Sequence, residues 1–354
     1  MIGSLTDIDY FNLYNERQLV SSSFNKDQIQ PSSLDLTLSE ECYEIECSFL
    51  SPNSTVRKKL KNLIIKKINL NQKHTFELNK TYIVRLNEHL ALNKNISGHC
   101  NPKSSTGRLD IFCRTVVDFA DEYEKIPENY NGDIFLEITC RSFEINFKKG
   151  DKLNQLRLVF KKHQYLSDSE LFEFHNKNKL LFYNKNRDLI LDRGLKISVN
   201  LKSSTEPIAF CAKLNTKEIE FNKVNYHNIV DYWDPIYSKD NALLIQKNKF
   251  YILRSKEKIR IPISLAGEMI PYDTGIGDFR AHYAGFFDPG FGDPNGSYAV
   301  LEVKTNEVPF LLEDNQTIAR IKYEKLNKNC NIVYGKNIKS NYQNQGLKLS
   351  KHFK

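Results

Sequence analysis

A chain of 354 residues exceeds one typical hydrophobic core and suits two domains of ordinary size. Its 40% hydrophobic and 12% aromatic content exclude a disordered chain. The net charge of +8 arises from 51 basic against 43 acidic residues. The lysines are scattered, with no basic stripe interleaved with aromatics, so nucleic acid is not the expected partner; a polyanionic small molecule such as a nucleotide suits this surface. Seven cysteines, odd in number and without a CxxC pair, read as reduced thiols, with neither a disulfide framework nor a zinc knuckle. No signal peptide opens the chain and no apolar run approaches membrane-spanning length, so a soluble cytoplasmic protein is expected, with no membrane partner.

In chain order, residues 1–28 read as helical, with Leu5, Ile8, Phe11 and Leu19 spaced along one face. After the Pro31-Ser32-Ser33 turn, alternation places Leu34, Leu36 and Leu38 on one side of a half-buried strand. Residues 39–75 are mixed, with a lysine-rich surface helix or loop near 58–67. Asn79-Lys80-Thr81-Tyr82-Ile83-Val84-Arg85 then recurs as Asn248-Lys249-Phe250-Tyr251-Ile252-Leu253-Arg254, at an offset of 169 residues (248 − 79). The same offset matches Glu88 with Glu257, Gly98 with Gly267 and Pro102 with Pro271. Leu136-Glu137-Ile138 matches Leu301-Glu302-Val303 at 165 residues (301 − 136). One register held so long is a duplicated β-rich domain, two copies being too few for a solenoid. Each copy shows short strands punctuated by turns, as in a barrel or sandwich. The boundary is expected at 163–187, where Ser167–Lys179 has helical character, giving domains 1–165 and 188–354.

Two stretches carry chemistry. Lys103-Ser104-Ser105-Thr106-Gly107-Arg108 sets two cations, three hydroxyls and a glycine after a proline, a turn suited to phosphate oxygens or simply a polar turn. Its counterpart in copy two, residues 272–278, gains acids and loses the Ser-Ser pair. Residues 283–302 combine an Asp288-Pro289-Gly290 turn with flanking aromatics and read as a hairpin with Glu302 on its return strand. A carboxylate in an apolar strand is costly unless paired or working, although a strand glutamate can also face solvent. Where copy two has this turn, copy one has the acidic run Asp118, Asp121, Glu122 and Glu124, read as a solvated loop ahead of a metal site. No Walker loop, dinucleotide fingerprint, HExxH, zinc-deaminase signature or nucleophile elbow is present. The amide-rich run from Ser340 to Lys348 is a disordered tail or a flap over a ligand.

Four motifs in order resemble the dCTP deaminase family, in its long, internally duplicated bacterial form within the dUTPase-like superfamily. These are Gln30-Pro31-Ser32-Ser33-Leu34-Asp35-Leu36; Lys103-Ser104-Ser105-Thr106-Gly107-Arg108; Ala284-Gly285-Phe286-Phe287-Asp288-Pro289-Gly290-Phe291 with Leu301-Glu302; and Tyr342-Gln343-Asn344-Gln345-Gly346. The resemblance implies a mainly β fold of two tandem dUTPase-like barrel or β-clip domains with few short helices. It implies hydrolysis of dCTP to dUTP and ammonia without zinc, with Mg²⁺ accompanying the triphosphate and dTTP as a possible feedback ligand. Glu302 would be the general base on a water attacking C4, its pKa raised in a partly apolar pocket, with Ser104 and Arg108 holding that water and the tetrahedral intermediate. Lys103, Ser105, Thr106 and Gly107 would hold phosphates, Ala284 to Phe287 would read the pyrimidine edge, Asp288 would lie near the deoxyribose, and Tyr342 and Gln345 would close over the triphosphate.

The chain departs from the family in dividing these motifs between its copies, which predicts one composite site per chain. Strict alternation of two unlike domains cannot close a ring of three, so either the halves pair within a chain, a pseudo-oligomer, or like halves form separate homotrimers. In the second case Ser104, Arg108 and Glu137 would form the site. A dUTPase or a bifunctional enzyme releasing dUMP and pyrophosphate, with Asp288 activating water, is the alternative on the same fold. A non-catalytic nucleotide-sensing scaffold is the alternative from another class.

Overall fold

The computed structural model describes residues 2–182, 189–271, 279–282, 285–336 and 341–354, with 271 and 279–282 described as backbone. The loop 272–278, together with Tyr283 and Ala284, lies outside the described residues. In the first half, one sheet pairs Asn154–Phe160 with Ile96–Pro102, Leu34–Leu36 and Gly3–Ser4, while Lys125–Ile126 extends it. The other sheet runs Ile64–Asn69, Leu38–Ile45, Thr81–Ala91, Asn131–Cys140 and Ile111–Val117. In the second half, Thr317–Lys325 pairs with Leu195–Ser198 and Leu265–Pro271, which in turn pairs with Phe286–Phe287. Its other sheet is built on Phe250–Ile259 and Ser297–Thr305. The chain is thus mainly β, with its apolar side chains in two large clusters.

The repeat is visible at single residues. Asn79 and Asn248 both take φ of 61°, the left-handed conformation asparagine tolerates, and each leads into the long central strand of its half. Pro102 and Pro271 each end the matching strand. Glu88 and Glu257 are buried, and each accepts from the backbone N–H and hydroxyl of one residue: Thr37 at 2.9 and 2.7 Å, Ser198 at 2.9 and 2.5 Å. A buried carboxylate bonded in this way ties two segments of its half together.

Local expectations fare unevenly. The N-terminal helix is confined to Asp7–Asn15 and buries Asp7, Tyr10 and Leu13 in place of Ile8 and Phe11, because strands formed by residues 3–4 and 19–20 claim its flanks. Leu34, Leu36 and Leu38 are buried, but so are Ser33, Asp35 and Thr37, because Lys103 meets Asp35 and Glu88 meets Thr37 on the face expected to meet solvent. The lysine-rich segment becomes a short helix, Val56–Leu60, and an edge strand, Ile64–Asn69. The helix Asp168–Lys177 falls where expected, with Ser167 capping it through Glu170 N at 3.3 Å. The acidic loop of copy one is only partly solvated: Asp118 accepts from Val56 N at 2.7 Å, and the Glu124 carboxylate turns inward to Thr115 Oγ1 at 2.7 Å.

The 283–302 stretch is not a hairpin. Phe286–Phe287 pairs with Leu265–Pro271, whereas Ser297–Thr305 pairs with Phe250–Ile259 in the opposing sheet. The Asp288-Pro289-Gly290 turn, with Gly290 at φ 98°, therefore carries the chain from one sheet to the other. Copy one crosses in the same way, from Lys125–Ile126 to Asn131–Cys140. The halves also share backbone: Ile145–Phe147 pairs antiparallel with His74–Phe76 and parallel with Ile219–Glu220.

Candidate active site

Strand alternation aims copy two at copy one. Along Ser297–Thr305, Ala299, Leu301 and Val303 enter the second-half core, so Val300, Glu302 and Lys304 present the other face. Glu302 is 2% exposed there. Opposite it stands the Ser104–Gly107 turn, closed by Thr106 N and Gly107 N donating to Lys103 O at 2.8 and 3.0 Å. A Cβ on Gly107 would overlap the Glu302 carboxylate, so glycine at this point is what admits the acid. The Glu302 charge also acts on Arg108, whose pKa is lowered by burial and raised back by Tyr342 and Glu302. Glu302 and the phosphate-type turn thus meet within one chain.

The turn from one sheet to the other supplies the next wall. Asp288 Oδ1 accepts from Ser32 Oγ at 2.8 Å and from Ser32 N at 3.3 Å. Fully buried Arg157 donates to Gly267 O at 3.0 Å, Phe287 O at 3.3 Å and Ser32 Oγ at 3.2 Å, and its guanidinium lies 4.1 Å from the Phe286 ring centre. Burial raises the Asp288 pKa, and Arg157 and Ser32 oppose that rise. Phe287 lines the cavity and its backbone is held in place, while Ala284 lies outside the described residues.

The tail forms the third wall, as an ordered strap and not a disordered end. Arg108 donates to Lys348 O at 2.9 Å and Gln345 Oε1 at 3.0 Å, and stacks 3.9 Å from the Tyr342 ring centre. Gln345 is also held by Ser297 Oγ and Tyr298 O, at 3.1 and 2.9 Å. Beyond the strap, Ser350 Oγ donates to Ser105 O at 2.8 Å, His352 Nε2 meets Phe221 O at 2.9 Å, and Phe353 joins the first-half core. Burial pushes the His352 pKa down to about 3, so the ring is neutral in this contact.

These walls enclose a cavity of about 300 Å³, at the small end of the range for ligand sites. Lys103, Ser104, Ser105, Arg108, Phe287, Asp288, Glu302, Tyr342 and Gln345 all line it. Two expected residues serve otherwise. The Thr106 hydroxyl is turned away and donates to Leu153 O at 2.8 Å, because its place in the turn faces the first-half core. Gly107 makes room for Glu302, and its N–H is engaged by Lys103 O. Glu137, at the repeat position of Glu302, is outside the cavity; Arg114 Nη2 donates to it at 2.6 Å while stacking 3.7 Å from the Tyr123 ring centre. Within one chain, Glu137 therefore does not join Ser104 and Arg108 in this cavity.

Sequence reasoning missed Asp35, Lys152, Gln155 and Lys351, which also line the cavity. Asp35 pairs with Lys103 and lies 3.8 Å from Lys152. Lys351 makes no ion pair or side-chain hydrogen bond among the described residues, and its pKa is lowered by burial, then by Lys103. Asp35 stands in a recognised motif and could have been singled out; nothing local marks Lys351. Among the described residues no group of three His, Cys, Asp or Glu side chains could hold a metal ion, and no helix is long and apolar enough to cross a membrane.

Residues 2–162 match the family model described as "2'-deoxycytidine 5'-triphosphate deaminase (DCD) N-terminal domain", and residues 167–353 match its C-terminal counterpart. The chain belongs to the dCTP deaminase family. The crystal structure of 2'-deoxycytidine 5'-triphosphate deaminase from Agrobacterium tumefaciens is similar at a TM-score of 0.87 and 39% identity, over 93% of this chain and 99% of that one. A "dCTP deaminase, dUMP-forming" of Methanocaldococcus jannaschii is 26% identical over 200 residues, 51% of this chain and 92% of that protein. In this member of the dCTP deaminase family, the phosphate-type turn lies in the span of the N-terminal model and Glu302 in that of the C-terminal one, so the cavity straddles the two.

Proposed function

We propose that this dCTP deaminase releases dUTP and ammonia, with Glu302 as the base. The observation that carries the reading is the buried Glu302 carboxylate seated against Gly107, beside Arg108, in a cavity whose other end is cationic. Glu302 takes a proton from water as its oxygen attacks C4, and passes it to the ring nitrogen. The C4–N bond then breaks, and the exocyclic amine leaves as ammonia once it has been protonated. Ser104 and Arg108 orient the water and the oxygen that gains charge, as pre-placed donors do. Phe287 and its neighbouring backbone hold the pyrimidine, Asp288 takes the sugar hydroxyl, and Lys103, Ser105, Lys152, Gln155 and Lys351 hold the triphosphate, whose Mg²⁺ counts as part of the substrate. Tyr342 and Gln345 cover it.

A second reading, release of dUMP and pyrophosphate, is favoured by the similarity to the dUMP-forming dCTP deaminase of Methanocaldococcus and by the placement of Asp288 on the cavity wall. The engagement of Asp288 Oδ1 by Ser32 supports the sugar role in preference to that of a water-activating base. The test is incubation with dCTP and Mg²⁺, with products separated by anion exchange. Equimolar ammonia and dUTP supports the first reading, dUMP with pyrophosphate the second, and no conversion of dCTP refutes both.

A further inference from the structure

Glu302 has a companion two residues along its strand. Alternation puts Lys304 on the same face, and its ammonium reaches Asp110 Oδ2 at 2.8 Å across the junction of the halves. The contact is sealed: the Lys304 and Asp110 side chains are 6% and 0% exposed. Asp110 is fixed from three sides in the first half. Its N–H donates to Gly107 O at 3.0 Å, its carbonyl accepts from Arg141 N at 3.1 Å, and Ser142 Oγ donates to Oδ2 at 2.6 Å. It also stands at φ 54°, a left-handed conformation that an aspartate tolerates better than most residues.

The strand therefore meets the first half at two points in matching order. Glu302 sits on Gly107, and Lys304 sits on Asp110, which hangs from Gly107 by a backbone bond. On the same face, two residues before Glu302, Val300 lies against the first-half core and lines the cavity. Apolar contacts along such a face are tolerant of sliding, whereas a desolvated ion pair is satisfied at one register only.

We infer that the Lys304–Asp110 ion pair sets the register between the halves, and that both are positioning residues which hold Glu302 beneath the Ser104–Gly107 turn. The inference rests on the proposed role of Glu302. Neither residue lines the cavity, so nucleotide contacts survive their loss, while the placement of the base relative to C4 does not.

The test compares Lys304→Met, Asp110→Asn and the double variant in the full chain, reading kcat, KM for dCTP and Tm. The single variants strand a buried partner and lose stability; the double variant removes both charges of this pair together and is the informative one. We expect the double variant to fold with a Tm near that of wild type, a KM within about threefold and a kcat lowered by about 30-fold or more. Lys304→Arg, which keeps the charge, recovers kcat to within about tenfold of wild type and serves if the double variant does not fold. Wild-type kcat in a folded double variant, a proportional fall of kcat, 1/KM and Tm, or no recovery with arginine overturns the inference. A wild type without turnover refutes the proposed function, and the inference with it.

Discussion

Glu137 and Glu302 occupy the same place in two copies of one sheet. Each lies opposite the isoleucine of its repeat, Ile83 or Ile252, and each is nearly buried. Arg114 on the neighbouring strand neutralises Glu137, and the aromatic ring of Tyr123 covers that guanidinium. Glu302 is met by the other half, by a glycine that makes room and a turn that carries donors. A strand carboxylate becomes available for chemistry according to what faces it from the neighbouring domain, and duplication lets one copy hold the acid in an ion pair while the other holds it in the cavity, where we propose it as the base.

The most direct way to break this comparison is to remove each acid in turn. Glu302→Gln is expected to lower kcat by about a thousandfold or more. Glu137→Gln should leave kcat within about threefold while costing about 1–3 kcal/mol, seen as a Tm lower by a few degrees. The reverse pattern in a dCTP turnover and thermal-melt series would place the site in copy one. Gly107→Ala probes the meeting point itself: its methyl takes space held by the Glu302 carboxylate, so kcat should fall by about a hundredfold through misplacement of the base. Normal activity in a folded Gly107→Ala chain would separate the turn from the acid.

Two smaller effects sharpen the contrast. Lys351→Met removes an ammonium from the anionic end of the proposed substrate, so KM for dCTP should rise by about tenfold with kcat preserved. An equal change in the KM for deoxycytidine, which lacks phosphate, would remove that assignment. The acids that precede the two strands differ in the same way: Asp288 faces Ser32 of the other half, whereas Glu124 turns into its own half. Burial pushes the Glu124 carboxyl up to about 7 from 4.5. The folded state therefore binds this proton more tightly than the unfolded chain, and the stability it contributes, fully present below pH 4.5, is lost as pH rises through about 7. Glu124→Gln should flatten the fall of Tm between pH 5 and pH 8; an unchanged slope would exclude this group.

Much of this was legible in the sequence because it depends on short-range pattern. The register of the repeat located both central strands, and residue type marked the Lys103–Arg108 turn, Asp288 and Glu302. What was missed depends on contacts between distant segments. The alternating leucines of 34–38 hide that their other face is also covered. A turn motif identifies a change of direction but not which sheet the chain enters next, so the expected hairpin became a crossing. A polar tail reads as mobile because composition carries no record of Arg108, Ser105 or Phe221, the groups that hold it. Thr106 resembles its neighbours in chemistry, and only the rotation of the turn assigns its hydroxyl to Leu153.

The three-stranded sheet that joins His74–Phe76, Ile145–Phe147 and Ile219–Glu220 has a bearing on how this chain can evolve. A fused pair of domains can ordinarily come apart again if one copy decays or the gene is split. Here the first half ends a sheet with backbone from the second, and the second lends Trp233 and Phe353 to the core of the first. Deleting the second copy would leave an open strand edge and a hole in the first, and deleting the first would leave Ile219–Glu220 unpaired and Trp233 and Phe353 uncovered. The fusion thus acts as a ratchet: once the halves exchanged strands and core residues, the ancestral single-domain state was closed to both descendants.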